Sequence, residues 1–209
     1  MKASFPLIVL ALLSIINCSC RNSPTQANDS SAIDFPNKVG DTWTYIHFDS
    51  LYRKLDTAFV TIVGQTTIGS NQAATIWQFK SSEGVDTNYV VVSDNAVYFG
   101  GGVSDDTVLY ALSAIVYRLI FPLKVGNEWS GGYFNDTDRV VNISSITVAA
   151  GNFSTAYEVV ETWGLGFNQD WSISRWFVPG VGIVRIYYHG ATPGMANETY
   201  ELIRYTATR

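Results

Sequence analysis

From residue 43 onward the chain alternates short apolar runs with clusters of Gly, Pro, Asn, Asp and Ser. Runs of four to eight residues bounded by turn chemistry predict antiparallel strands. In the first half they fall at 43–48, 58–63, 74–79, 89–92 and 96–99. In the second they fall at 139–148, 156–163, 171–178, 183–188 and 198–205. Along 156–163 the alternation puts Tyr157, Val159 and Trp163 on one face. Pro179-Gly180 supplies the centre of a type II turn. One stretch departs from this rhythm: Val108, Leu109, Leu112, Ile115, Val116 and Leu119 recur at three- and four-residue steps behind Asp105, Asp106 and Thr107. That spacing predicts a helix over 105–120, although Val-Tyr-Arg-Leu-Ile within it also reads as strand.

A phrase occurs twice. Phe35-Pro36-Asn37-Lys38-Val39-Gly40-Asp41-Thr42-Trp43 returns as Phe121-Pro122-Leu123-Lys124-Val125-Gly126-Asn127-Glu128-Trp129. Proline has no N–H for a ladder and belongs before a strand. Val-Gly-Asp or Val-Gly-Asn then makes a turn, and Trp starts the strand. Further correspondences, Gly69 with Gly151 and Tyr89-Val90-Val91 with Trp176-Phe177-Val178, keep the offset near 85. The expected architecture is mainly all-β: a duplicated antiparallel curved sheet or half-barrel, with one short helix between the repeats. The domain plan is a signal peptide at 1–19, a tether at 20–32 and one β domain at 33–209, built of repeats 35–99 and 121–205. Trp43 and Trp129 are expected in its core, where Trp129→Ala would cost about 3–5 kcal/mol.

Before the first strand, Lys2 precedes an apolar run over 5–16 and then Asn17-Cys18-Ser19-Cys20, the outline of a secretory signal. The run is too short to span a bilayer comfortably. No cysteine follows Cys20, so the β domain has no disulfide framework. This ending resembles the lipobox of bacterial lipoproteins, which implies a lipid on Cys20, or on Cys18. Arg21 to Ala32 is polar and reads as a flexible tether.

Composition narrows the function by exclusion. The chain is 47% hydrophobic and only 15% charged, with a net charge of -5. Without a basic cluster, nucleic-acid binding lacks its electrostatic footprint. The two histidines, His47 and His189, have no metal-ligand spacing, and no HExxH, CxxC or G-x-S-x-G is present. Asn135-Asp136-Thr137-Asp138 alternates oxygen ligands but lacks the Gly and distal Glu of an EF-hand, and reads as a solvated loop. No metal, cofactor or catalytic residue is assigned. Trp163 and Trp171 flank a Gly-rich loop containing Phe167, where exposed aromatics could grip a sugar or an apolar ligand.

The phrases Phe121-Pro122-Leu123-Lys124-Val125-Gly126-Asn127-x-Trp129, Ala150-Gly151-Asn152-Phe153 and Val178-Pro179-Gly180-Val181-Gly182-Ile183-Val184 resemble a family of secreted lipoproteins of Bacteroidetes-type bacteria. Its signatures are FPLKVGxxW, AGxF and PGVGxV. The resemblance implies an all-β envelope domain akin to the curved sheet of LolA-type carriers, and brings no activity with it. The triplets Asp49-Ser50-Leu51, Asp56-Thr57-Ala58 and Asp106-Thr107-Val108 resemble O-glycosylation sites of the same bacteria. The expected protein is a lipid-anchored envelope lipoprotein of the outer membrane, on the periplasmic side because no acidic run follows Cys20. Its expected role is non-catalytic binding of an apolar or glycan ligand or an envelope protein. The alternatives are a structural envelope protein without a ligand, or a hydrolase with a site near His189.

Overall fold

Strand follows strand throughout the computed structural model, which describes residues 34–69, 71–100, 115–130, 136–163, 171–190 and 197–207. The first six are β1 (Thr42–Asp49), β2 (Lys54–Ile68), β3 (Gln72–Ser81), β4 (Gly84–Val92), β5 (Ala96–Gly100) and β6 (Ile115–Ile120). The last six are β7 (Glu128–Ser130), β8 (Thr137–Val148), β9 (Gly151–Trp163), β10 (Trp171–Val178), β11 (Gly182–Gly190) and β12 (Glu198–Thr206). All pair antiparallel in one twelve-stranded sheet of order β6-β5-β4-β3-β2-β1-β12-β11-β10-β9-β8-β7. Each half is an up-and-down meander, and the β1–β12 ladder joins the two.

The sheet curls into a nearly closed barrel whose seam lies between β6 and β7. No ladder spans that seam. Instead the Trp129 indole N–H donates to the Arg118 carbonyl at 3.2 Å, and the Arg118 guanidinium donates to the Ser130 carbonyl. Closure of this kind covers edges that would otherwise invite pairing with another chain.

The predicted helix over 105–120 is corrected where the chain is described. Residues 115–120 form β6, pairing with β5 from Ile115 opposite Gly100 to Ile120 opposite Ala96. Four aromatic or β-branched residues, Ile115, Val116, Tyr117 and Ile120, and the chance to fill the sixth place in the meander outweigh a local helical period. Residues 105–114 lie outside the described residues.

Both Phe-Pro phrases build the same turn. Gly40 N donates to Ile62 O at 2.8 Å, Asp41 N to Lys38 O at 3.0 Å and Ile62 N to Asp41 O at 3.0 Å. In the second phrase Gly126 N donates to Val140 O at 2.8 Å, Asn127 N to Lys124 O at 2.9 Å and Val140 N to Asn127 O at 3.0 Å. Gly40 and Gly126 hold φ of 96° and 88°, which a Cβ would strain. A register shift follows at matching places, between Ile62 and Gly64 on β2 and between Val140 and Asn142 on β8. Trp43 and Trp129 are each the second residue of their strand.

Alternation sends one face of each strand inward. The core holds Trp43, Ala58, Ile62, Val90, Val97, Leu119, Val140, Val159, Phe177, Val184 and Leu202, each almost fully buried. Phe35 leads its phrase into the end of the barrel, stacking on Trp77 at 5.8 Å and Phe177 at 5.9 Å. Phe121 meets Phe177 edge-on at 5.6 Å. The two phrases therefore close the same end. Trp43 is buried and donates from its indole N–H to Val181 O at 2.6 Å. Trp129, expected in the core, is only partly buried at the seam.

Candidate functional site

A cavity of about 210 Å³ lies within the barrel. Its walls are mostly aromatic: Trp43, Tyr45, Trp77, Phe79, Phe99 and Tyr200. Trp43 and Trp77 stack at 4.8 Å, and Phe99 meets Trp77 edge-on at 5.8 Å. The polar groups of these rings have partners within the protein. Tyr45 Oη donates to Ile183 O at 2.7 Å, and Trp77 Nε1 to Asn37 Oδ1 at 2.9 Å. Burial raises the Tyr45 and Tyr200 phenols far above their ordinary value, so both stay neutral.

Two other polar side chains line the space, Asn88 on β4 and Arg175 on β10. They hold matching places in the two halves. Asn88 is opposite Trp77, which pairs with Ile62; Arg175 is opposite Val159, which pairs with Val140. Five strands lie between β4 and β10 in either direction around the barrel, so the two residues stand on opposite walls.

Behind Arg175 lies a buried polar cluster. Its guanidinium donates to Glu161 Oε2 at 2.6 Å and sits 3.9 Å above the Tyr117 ring. Arg175 and Glu161 are 7% and 3% exposed, so this is an ion pair removed from water. Burial would lower the guanidinium pKa; Tyr117, Glu161 and Tyr188 outweigh it and hold it above the ordinary value. Glu161 is directly opposite Asp138, which is 1% exposed. Burial first, and then the Glu161 carboxylate, push the Asp138 carboxyl up to about 7 against the pull of Arg175, Arg118 and the Trp129 N–H. Asp138 Oδ1 and Tyr117 Oη are buried and make no hydrogen bond among the described residues. Asp136, two residues before Asp138 on the same side, is also buried.

The region read as a solvated loop is therefore corrected: Asp136 and Asp138 face the interior, and Thr137 begins β8. Among the described residues no group of three His, Cys, Asp or Glu side chains is arranged to hold a metal ion. Trp163 and Trp171 end β9 and begin β10 opposite each other in register, and Phe167 lies outside the described residues, as do Cys18 and Cys20. His189 is exposed on β11 with its ring 6.2 Å from Tyr187. The other histidine is the interior one. His47 stacks on Tyr200 at 4.2 Å and its Nε2 is 3.2 Å from Glu198 Oε2.

Arg175 and Glu161 carried a signal in the sequence. Glu161 falls on the same alternating face as Tyr157 and Val159, and Arg175 lies between Ile173 and Phe177. A charge on an apolar strand face is a buried charge with a partner.

The fold is a nearly closed antiparallel β-barrel with a cavity inside it. No protein-family model matches the chain, and no curated protein matches it. Two solved structures do. A candidate exported protein with a YmcC-like fold from Bacteroides fragilis NCTC 9343 is 15% identical, with a TM-score of 0.50 over 84% of this chain and 99% of its own. A candidate lipoprotein from Parabacteroides distasonis ATCC 8503 is 12% identical, with a TM-score of 0.47 over the same shares. The first likeness places this chain in the YmcC-like fold.

Proposed function

We propose that this protein is a non-catalytic envelope lipoprotein that holds a small apolar or aromatic ligand inside its barrel. The cavity of about 210 Å³ carries this reading. Protein interiors are close-packed. A space of about 210 Å³ among the aromatic side chains of a barrel is therefore room that packing leaves for another molecule. Aromatic walls with few polar groups suit an apolar body better than a glycan, which needs many hydrogen bonds. The volume suits a ligand of about ten non-hydrogen atoms, smaller than the usual drug-sized occupant.

Export and anchoring rest on Lys2, the apolar run and Cys18-Ser19-Cys20, together with the likeness to the exported protein of Bacteroides fragilis. Cys20, or Cys18, carries the lipid, and residues 21–32 tether the barrel to the periplasmic side of the outer membrane. One lipid chain gives weak membrane binding, and stable anchoring needs a second signal or further acylation.

Tryptophan fluorescence tests the binding reading, because Trp43 and Trp77 line the cavity. The full chain is titrated with phenylpropanol. Saturable quenching that disappears in Asn88→Phe, which fills the space, is expected. Quenching that survives in Asn88→Phe puts the ligand elsewhere, and no quenching refutes the reading.

A further inference from the structure

We propose, on the strength of that interior-ligand reading, that the ligand is a small aromatic or apolar carboxylic acid. Its carboxylate rests on Arg175, its body lies between Trp43, Trp77 and Phe79, and its binding is linked to proton uptake at Asp138. Three observations lead there.

The first is the lining itself. Among the described residues, Arg175 is the one charged side chain in the cavity wall, and the rest is aromatic, aliphatic, glycine or Asn88. A guanidinium is a fork of donors that matches a carboxylate, and in a water-poor space such a bond is strong. The Glu161 carboxylate and the Tyr117 ring already fix the guanidinium in place, so the ligand meets an oriented group. Pre-orientation of this kind removes part of the ordering cost of binding.

The second is the asymmetry between the two walls. At the register position of Arg175 the other half has the neutral Asn88. At the position of Asp138 and Glu161 it has Val60 and Phe79. One half of the barrel is thus a plain apolar wall and the other a charged one. The cavity has a polar pole and an apolar pole, the polarity of an amphipathic acid.

The third concerns charge balance. A ligand carboxylate on Arg175 adds a negative charge beside Glu161 and Asp138, which already compete for that cation. The groups facing Asp138 are Tyr117 and Arg118 from β6, Trp129 from β7, Asp136 just before its own strand, Glu161 from β9 and Arg175 from β10. Tyr188 from β11 acts on Arg175. Of these, Asp138 is the acid already displaced to about 7. A third anion raises it further, so the ligand enters with a proton. Protonation also turns Asp138 from acceptor-only into a donor in a cluster where its Oδ1 has no hydrogen-bond partner among the described residues.

Isothermal titration of the full chain with 3-phenylpropionate, 3-phenylpropanamide and 3-phenylpropylamine is the test, at pH 6 and pH 8. These probes share shape and differ in the head group. The propionate is expected to bind at least tenfold more tightly than the amide and the amine at pH 6. Its affinity should fall about tenfold by pH 8, as expected for uptake of one proton by a group titrating near 7. Asp138→Asn keeps the shape of the protonated acid and should bind equally at both pH values. An amide or amine as tight as the propionate overturns the carboxylate assignment while leaving the cavity as an apolar site. A pH dependence unchanged in Asp138→Asn overturns the proton linkage. Failure of all three probes to bind refutes the interior-ligand reading together with this one.

Discussion

Asp138 and Glu161 face each other directly across the β8–β9 ladder, both almost fully buried, where the matching register of β2–β3 holds Val60 and Phe79. The flanking structure is the same in both halves, down to the hydrogen bonds of the Phe-Pro turns and the register shift after Ile62 and Val140. The two halves share this turn geometry and differ in the charged cluster that the second one carries. Two carboxyls this close do not both ionise easily, and Arg175 neutralises only one of them.

That cluster gives stability a pH dependence opposite to the common acid-denaturation pattern. Burial first, and then the Glu161 carboxylate, push the folded Asp138 carboxyl up to about 7, well above the ordinary carboxylate range. Between about pH 4 and 7 the folded state therefore binds more protons than the unfolded one, and this group's contribution falls as pH rises. Chemical denaturation should show Asp138→Asn to be more stable than the wild type at pH 8, by on the order of a few kcal/mol. The gain should shrink towards pH 5. Equal stabilities at pH 8 would contradict the burial argument.

The two signature tryptophans should differ in cost. Trp43 is buried, stacked on Trp77 and bonded to Val181 O, so Trp43→Ala is expected to lose about 3–5 kcal/mol. Trp129 is partly exposed at the seam, and its replacement should cost about half of that or less. Urea midpoints of the two variants check this. A larger loss at Trp129 would mean that the β6–β7 seam, not the interior, dominates stability.

Gly180 ends the Val178-Pro179 turn with φ of 72°, and Val181 N returns to Val178 O at 3.1 Å. A Cβ there would come within 3.0 Å of Asp34 Oδ2. Gly180→Ala should lose about 1–2 kcal/mol, the cost of a left-handed conformation for an L side chain. A neutral result in thermal unfolding would show that the turn relaxes.

Anchoring is tested by fractionation. The Cys18→Ala, Cys20→Ala double variant is expected in the soluble fraction and the wild type with membranes. Retention of the double variant in the membrane fraction contradicts the lipid anchor.

Much of the meander was legible because turn residues punctuate it. The strand predicted at 171–178 coincides with β10, and Pro179-Gly180 forms the expected turn. Residues 115–120 were ambiguous because Val-Tyr-Arg-Leu-Ile satisfies both a helical and a strand pattern, and only the neighbouring β5 decides. The site was harder to read. Asn135-Asp136-Thr137-Asp138 has the composition of a turn, and composition cannot reveal that Glu161 and Arg175 would meet Asp138 inside a barrel. Arg175 is fourteen residues from its partner Glu161, a separation that only the β9–β10 pairing makes close.

The most direct test of an interior ligand is the set of indole N–H resonances of the six tryptophans, followed by two-dimensional ¹⁵N NMR while 3-phenylpropionate is added. The indoles of Trp43 and Trp77, which wall the cavity, should shift and saturate together, while Trp176, under the Arg185 guanidinium, should stay in place. Shifts confined to Trp163 and Trp171, with Trp43 and Trp77 unmoved, would place the ligand at the strand ends and contradict the account.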